Sequence, residues 1–148
     1  MSTPNLQIRL AGHNDYHGLS ELLKEVFFYD VTEENYETYR RKEENIVLVA
    51  EIDNKIVGCV CCESQWNAFT DEKLFFIRNA CVQKEFRRHG IYGELIQRSR
   101  EIAKEQGIFV LELTCANFRI GAQQFYLNHG FTKKDTTVFI QEIEQEVR

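Results

Sequence analysis

The sequence predicts a single α/β domain in which a mixed β-sheet of six to seven strands is flanked by about four helices. Segments with the two-residue period of strands alternate with segments of helical period along the 148 residues. A hairpin precedes strand–helix–strand crossovers, so antiparallel and parallel pairs are both expected. Because the chain has one proline and no low-complexity linker, we expect one domain over residues 1–148.

The first elements follow from apolar periodicity and helix caps. Residues 5–10 alternate as in a strand. Asn14 or Asp15 can cap a helix whose apolar side chains recur at helical spacing over residues 16–27. A second, charge-rich helix is expected from Thr32 to about Glu44.

A hairpin and a strand–helix unit follow. Residues 46–64 form two apolar runs separated by Asp53-Asn54-Lys55, which is typical of a β-hairpin. Residues 73–83 predict a further strand, and residues 90–106 predict an amphipathic helix ended by Gly107.

The last third predicts a strand, a short helix and a final sheet segment. The nearly continuous apolar run 108–115 predicts a strand buried on both faces. A short helix is expected over residues 118–129, and residues 131–147 predict one or two strands. An edge strand at residues 136–143 would offer a second copy a surface for a homodimer.

The charge balance excludes some classes of partner. The chain has 18 basic and 23 acidic residues, a net charge of −5. Affinity for nucleic acid depends largely on neutralising phosphates, so we expect no nucleic-acid partner.

No apolar run approaches the roughly 20 residues of a membrane span, and residues 1–10 lack the apolar core of a signal peptide. We therefore expect a cytoplasmic protein with no membrane partner.

Five cysteines lie in apolar segments rather than in loops. Their odd number and low density argue against a disulfide scaffold. No separate C-x-x-C pair accompanies the run at residues 59–62, and the four histidines are scattered. We therefore interpret the cysteines as small buried strand residues rather than as ligands of a metal ion. The cysteines are Cys59, Cys61, Cys62, Cys81 and Cys115.

The stretch from Arg87 to Gly93 contains the residues that say most about function. A predicted strand enters this basic, glycine-containing turn, and a helix starts inside it. A helix N-terminus offers unpaired N–H groups and a positive dipole end, and the arginines add charge, so the turn is suited to a pyrophosphate. The pattern is neither a Walker A loop nor a G-x-G-x-x-G fingerprint. A solvated basic turn is the alternative interpretation.

Two motifs in order resemble those of the GNAT superfamily of acetyl-CoA-dependent N-acetyltransferases. The first is Arg87-Arg88-His89-Gly90-Ile91-Tyr92, which is similar to the family's Q/R-x-x-G-x-G/A loop. The second runs from Arg119 through Phe125-Tyr126 to Gly130-Phe131, and it resembles A-x-x-F-Y-x-x-x-G-F. The resemblance covers about residues 46–140 and implies the GNAT fold.

The resemblance implies where acetyl-CoA binds. Backbone amides of the loop would hold the pyrophosphate, and the strand at Cys81 and Val82 would diverge from the strand at 110–114 so that pantetheine lies between them. Tyr92 departs from the family's small residue, and its side chain must then point away from the phosphates. The coenzyme-binding residues so implied are Cys81, Val82, Arg87, Arg88, His89, Gly90, Ile91, Tyr92, Gly93, Asn117 and Arg119.

The resemblance also implies catalytic roles. The Val82 N–H would polarise the thioester carbonyl, and Tyr126 would protonate the departing thiolate. The alternative for Tyr126 is packing beside Phe125. Many family members carry a glutamate as base where this chain has Arg78-Asn79. Glu112, flanked by apolar residues, is the leading substitute, although an outward-facing or salt-bridged Glu112, or a water relay, fits equally well.

The acceptor is expected to be a primary amine of a small molecule or a protein. Phe28, Tyr29 and Trp66 are candidates for an aromatic wall beside it, and core packing is their alternative. The function expected is direct acetyl transfer in a ternary complex. Two other functions fit the same sequence: a catalytically weak coenzyme A-binding module of this fold, and an unrelated phosphate-binding α/β protein.

Overall fold

The computed structural model of the chain describes residues 5–146. The chain divides into two compact units, Met1–Thr114 and Cys115–Arg148. The first unit holds five strands: β1 (Leu6–Leu10), β2 (Asn45–Ile52), β3 (Lys55–Asn67), β4 (Glu72–Val82) and β5 (Leu111–Glu112). It also holds three helices: α1 (Tyr16–Phe27), α2 (Glu33–Arg41) and α3 (Ile91–Glu105). The second unit holds α4 (Ile120–Asn128).

The strands form one sheet in the order β1-β2-β3-β4-β5. Every pair is antiparallel except β4–β5, which is parallel. The predicted mixed sheet and four helices are therefore confirmed, whereas the strand count of six to seven is wrong for the described residues, where the sheet has five strands. No helix within residues 5–146 has the length and apolar character needed to cross a membrane.

The two faces of the sheet are covered by different helices. On one face, Leu19, Leu22 and Leu23 of α1 pack with Tyr36 of α2 over buried strand residues that include Cys59. On the other face, α3 contacts β2, β3 and β4 with the buried side of its amphipathic surface. Because successive strand residues point to opposite faces, neighbouring cysteines of β3 belong to different layers.

Local signals set several element boundaries as predicted. Thr32 caps α2, since its hydroxyl accepts a hydrogen bond from the Asn35 N–H at 3.1 Å. Asp53 and Asn54 both have positive φ, at 49° and 65°, as the tight turn between β2 and β3 requires. The side-chain cap expected at Asp15 before α1 does not form. The Asp15 carboxylate instead accepts hydrogen bonds from Arg9 and from the Gly12 N–H.

Two predictions for the last third are wrong. The strand expected at 108–115 is limited to β5, and Phe109 and Val110 are 79% and 51% exposed. Among the described residues β5 pairs with β4 alone, so no neighbouring strand covers it on its other side. Residues 131–146, which include the predicted edge strand at 136–143, contain no helix or strand, and residue 147 lies outside the described residues. Because no strand pairs with this segment, its apolar side chains at Val138, Phe139, Ile140 and Ile143 are exposed.

Candidate active site

The basic turn connects the end of β4 to the start of α3. A single helical turn at Lys84–Phe86 follows β4, and Gly90 then caps α3 with φ of 79°. Arg88 also has a positive φ, 68°, which is uncommon for a residue with a side chain. The buried Ile91 and Leu95 fix the first turns of α3 on the sheet. Residues 87–90 are exposed, so the N-terminal amides of α3 face an accessible surface.

The charge and shape of this turn suit an anion. The backbone N–H groups of the first helical turn and the positive end of the helix dipole meet there with the charges of Arg87 and Arg88. A Cβ added to Gly90 would meet no atom within 4 Å, so the backbone is open to close approach by a ligand. Arg87 Nε donates to the Val82 carbonyl at 2.9 Å, which ties the turn to the end of β4. The exposed residues 87–90 of the predicted loop are therefore tied to that strand end.

The free edge of β4 begins where β5 ends. Within the described part of the first unit, β5 pairs with β4 only alongside Phe75 and Phe76, while β4 continues to Val82. The Gln83 N–H donates to the Val57 carbonyl of β3 at 2.7 Å. Because successive amides of a strand point to opposite edges, the Val82 N–H points away from β3, toward the side that β5 has left. An extended ligand could therefore pair with this edge.

A β-bulge lies within this free stretch of β4, shortly before Val82, and sequence reasoning missed it. Cys59 is paired with Cys81, but Cys61 is paired with Arg78, so Val60 faces two residues of β4 instead of one. Asn79, within the bulge, has φ of 53°. The signal available in the sequence was an asparagine inside an apolar strand, since asparagine tolerates the left-handed region better than most residues.

Glu112 lies on a face of the sheet that carries a row of charged side chains. Phe76 is paired with Glu63 of β3 on one side and Glu112 of β5 on the other, so the three share a face. Arg78 points to the same face, where its Nε donates to Glu63 at 2.9 Å and its guanidinium lies 4.8 Å from the centre of the Phe76 ring. The Tyr39 hydroxyl also donates to Glu63, at 3.0 Å. Sequence reasoning did not single out Glu63.

Tyr126 belongs to the second unit, where it lies on α4. Its ring makes edge contacts with Phe125 and Phe131, at centroid distances of 5.6 and 5.4 Å. Asn117 and Arg119 are exposed in the turn before α4. Gln123 steadies this turn, because its Nε2 donates to the Asn117 carbonyl at 3.0 Å. The unit thus presents a half-buried tyrosine together with the two other predicted residues.

The aromatic candidates for acceptor binding are surface residues rather than core. Phe28 is 86% exposed, Tyr29 46% and Trp66 62%. Phe28 and Tyr29 follow α1, whereas Trp66 lies near the tip of the β3–β4 hairpin, where its Nε1 donates to Asp71 at 2.9 Å. Their exposure leaves them available for contact with a ligand.

A cavity of about 370 Å³ between α1 and the start of β3 contains none of the predicted site residues. Its carboxylates are largely held within the protein: Arg9 binds Asp15 and Glu51, and Gln83 binds Glu25. Over residues 5–146 no cluster of histidine, cysteine and carboxylate side chains is arranged to hold a metal ion.

Comparison with known proteins identifies the family. The sequence model described as "Acetyltransferase (GNAT) family" matches residues 16–131. The chain belongs to this family. A GNAT match over these residues includes the β4–α3 turn of the first unit and α4 of the second, which are the segments that carry the two sequence motifs.

Similar proteins are named as acetyltransferases. An uncharacterized N-acetyltransferase of Archaeoglobus fulgidus is 31% identical over 96 residues, which are 64% of this chain and 65% of that protein. Streptothricin acetyltransferase A of Bacillus subtilis is 27% identical over 94 residues, 64% of this chain and 51% of that protein. This chain therefore spans less than two thirds of the length of these relatives.

Solved structures share the GNAT fold. A crystal structure of an aminoglycoside acetyltransferase from an uncultured soil metagenomic sample, in complex with trehalose, has a TM-score of 0.83. The match covers 95% of this chain and 97% of that one at 22% sequence identity. At this identity the likeness shows the fold alone.

Proposed function

We propose that the protein transfers the acetyl group of acetyl-CoA to a primary amine by direct attack, and that residues 1–148 form a single N-acetyltransferase domain. The observation that carries the proposal is the free edge of β4, with the Val82 N–H directed away from β3 next to the basic N-terminus of α3. A thioester carbonyl and a pyrophosphate need these two features side by side. The family match over residues 16–131, which includes parts of both units, supports a single domain.

The residues present fit coenzyme A. Amides at the start of α3 and the charges of Arg87 and Arg88 would hold the pyrophosphate, and the open space at Gly90 allows close approach. The edge of β4 between Ile77 and Val82 would pair with the amide groups of pantetheine, as an added strand would. Bound acetyl-CoA supplies the activated acetyl group.

The chain's own residues would lower the barrier in three ways. The Val82 N–H would donate to the oxyanion that forms when the amine attacks, and a preorganised donor of this kind accelerates acyl transfer by about 100- to 1000-fold. Tyr126 would donate its proton to the leaving thiolate. Glu112 would receive the proton from the attacking amine, because a neutral amine is required and an ammonium ion predominates near pH 7.

The face that carries Glu112 supports a cationic acceptor. Glu63 and Glu112 lie on either side of Phe76 in the sheet, so this face has two carboxylates beside the guanidinium of Arg78, and the excess of negative charge attracts an ammonium group. Arg78 cannot act as the base, because a guanidinium stays protonated, and its charge is already neutralised in part by Glu63. The names of similar proteins refer to streptothricin and aminoglycosides, which makes amine-bearing antibiotics one class worth testing beside polyamines, amino acids and protein amines.

An acceptor screen with acetyl-CoA tests this function. Each class of amine is incubated with the protein, and free thiol release is compared with product mass. We expect transfer to at least one amine class, and we expect Tyr126→Phe to reduce kcat. Tyr16→Phe, which removes a hydroxyl that donates to the Val31 carbonyl outside the proposed chemistry, serves as the control. Tight binding of acetyl-CoA without transfer to any amine would favour a coenzyme A-binding module instead.

We also propose a cytoplasmic location, which the five unpaired cysteines support.

A further inference from the structure

The bulge in β4 is held by sulfur atoms of β3. Cys59 Sγ lies 3.2 Å from the carbonyl oxygen of Asn79, the residue with a positive φ. Asn79 Nδ2 lies 3.9 Å from Cys61 Sγ, and Cys81 Sγ lies 3.8 Å from Cys59 Sγ. We call these four residues, Cys81, Cys59, Asn79 and Cys61, the thiol relay.

The hydrogen bonds of the thiol relay run in one direction, from Cys81 through Cys59 and Asn79 to Cys61. A thiol has one proton, and the Asn79 carbonyl can only accept, so the Cys59 S–H donates to it. The Cys81 S–H is then the donor to Cys59 Sγ, and the Asn79 amide donates to Cys61 Sγ. The neighbouring Cys81 and burial raise the pKa of Cys59, and burial raises the pKa of Cys61 to about 12, so both thiols keep their protons near pH 7.

We propose that Cys59 is a positioning residue: its thiol holds Asn79 in the left-handed conformation and so sets the direction of the Val82 N–H at the free edge of β4. This inference rests on the proposed role of Val82. Val82 lies three positions beyond Asn79 on the same strand, and a bulge changes the twist of the strand that continues from it. All three cysteines of the relay are buried, and Cys59 has no exposed surface, so the contact is shielded from competing water.

The sheet provides a matched control within the same strand. Cys62 is also fully buried in β3, but it points to the opposite face, where Ser99 of α3 is its partner. Cys59→Ala and Cys62→Ala each remove one buried sulfur from β3, and only the first removes the donor to Asn79. A merely structural cysteine would give similar results at both positions.

The experiment compares Cys59→Ala, Cys59→Ser and Cys62→Ala in three measurements. Crystal structures without ligand give the φ angle of Asn79. Calorimetry gives the Kd for acetyl-CoA. Infrared difference spectra with carbonyl-labelled acetyl-CoA report the hydrogen bond to its thioester carbonyl. We expect Cys59→Ala alone to move Asn79 out of the left-handed region and to lose the red shift of the carbonyl band, with Kd little changed. Cys59→Ser should restore both, because a hydroxyl also donates.

Transfer kinetics, once an acceptor is in hand, should show kcat of Cys59→Ala reduced about tenfold, less than the ~100-fold or more expected when an oxyanion donor is lost outright. Equal behaviour of Cys59→Ala and Cys62→Ala in the ligand-free structures and spectra would overturn the inference. Should Cys59→Ala not fold, Cys59→Val, which fills the same space but donates no hydrogen bond, is compared with Cys62→Val, with the same outcomes expected. Failure of the wild-type protein to bind acetyl-CoA would instead refute the proposed function, while the ligand-free structures would still decide the role of Cys59.

Discussion

Gly58 lies directly opposite Val82 in the β3–β4 ladder, and a Cβ on Gly58 would lie only 3.1 Å from the carbonyl oxygen of Cys81 and 3.2 Å from Val82 Cγ2. The same Cβ would lie 3.3 Å from Leu95 Cδ1 of α3. These contacts are shorter than ordinary van der Waals contacts, so β3 approaches the end of β4 this closely only because residue 58 has no side chain. Close packing against Gly58 of β3 therefore fixes the position of the Val82 backbone, which carries the proposed oxyanion donor.

Gly58→Ala should therefore disturb both stability and coenzyme binding. The added methyl group must displace the Cys81 carbonyl or the Val82 and Leu95 side chains, and overpacking of this kind costs about 1–3 kcal/mol of the free energy of unfolding. Chemical denaturation and calorimetry with acetyl-CoA measure the two effects. Gly121→Ala in α4 is the control, because its Cβ would meet no atom within 4 Å. Equal stability of the two variants would show that β3 and β4 are less tightly packed than described.

Gly90→Ala should destabilise the start of α3. At φ of 79° a side chain costs about 1–2 kcal/mol, although no neighbouring atom opposes it. Gly90→Asn should recover much of this loss, because asparagine adopts the left-handed region more readily. Thermal unfolding of both variants measures the difference. If alanine and asparagine were equally tolerated, the backbone strain assigned to residue 90 would be wrong.

Acid should weaken the protein through Glu37. Hydrogen bonds from Arg40 and His13 lower the pKa of Glu37 from 4.5 to about 2. A folded-state pKa below the unfolded value stabilises the fold fully above about pH 4.5, and the contribution is lost as the pH falls toward 2. Glu37→Gln should therefore be less stable than wild type at pH 7, and the gap in Tm should close on acidification. Glu43→Gln, an exposed change outside this network, should leave the profile unaltered; a constant gap for Glu37→Gln would contradict the assignment.

Alkylation should separate Cys115 from the other four cysteines. Cys115 is half-buried, whereas the others are buried, and burial raises the pKa of Cys61 and Cys62. Since the thiolate is the reactive form, N-ethylmaleimide at neutral pH should modify Cys115 first and the rest only on unfolding. Peptide mass spectrometry over time measures the order. Early labelling of Cys59 or Cys61 in the folded protein would show that the relay thiols are accessible.

The sequence predicted the elements that depend on local signals. The cap at Thr32, the turn at Asp53-Asn54 and the loop before α3 each follow from a few neighbouring residues, and the structure has the corresponding elements where they were expected. The bulge at Asn79 was missed because it depends on how two strands are paired, which the periodicity of one strand does not record.

Tertiary context also decides which apolar segments become strands. The run 108–115 has strand composition throughout, yet only Leu111 and Glu112 pair with β4, although β4 itself continues to Val82. Composition alone therefore does not set how far a segment pairs. The pairing of Glu63 and Glu112 around Phe76 likewise follows from sheet register, although the three residues are distant in the sequence. Site residues that come together through register are the ones that a single sequence does not reveal.

We propose above all that the turn before α3 binds the pyrophosphate of coenzyme A, and calorimetry with acetyl-CoA is the sharpest test of that binding. The variant to compare is Arg88→Asn, because asparagine suits the positive φ of residue 88 while the charge is removed. We expect wild type to bind acetyl-CoA in preference to ATP and NAD, and Arg88→Asn to bind it about 10- to 100-fold more weakly, the cost of one charge-assisted hydrogen bond. Unchanged affinity in Arg88→Asn, or equal binding of ATP and NAD by wild type, would contradict the claim.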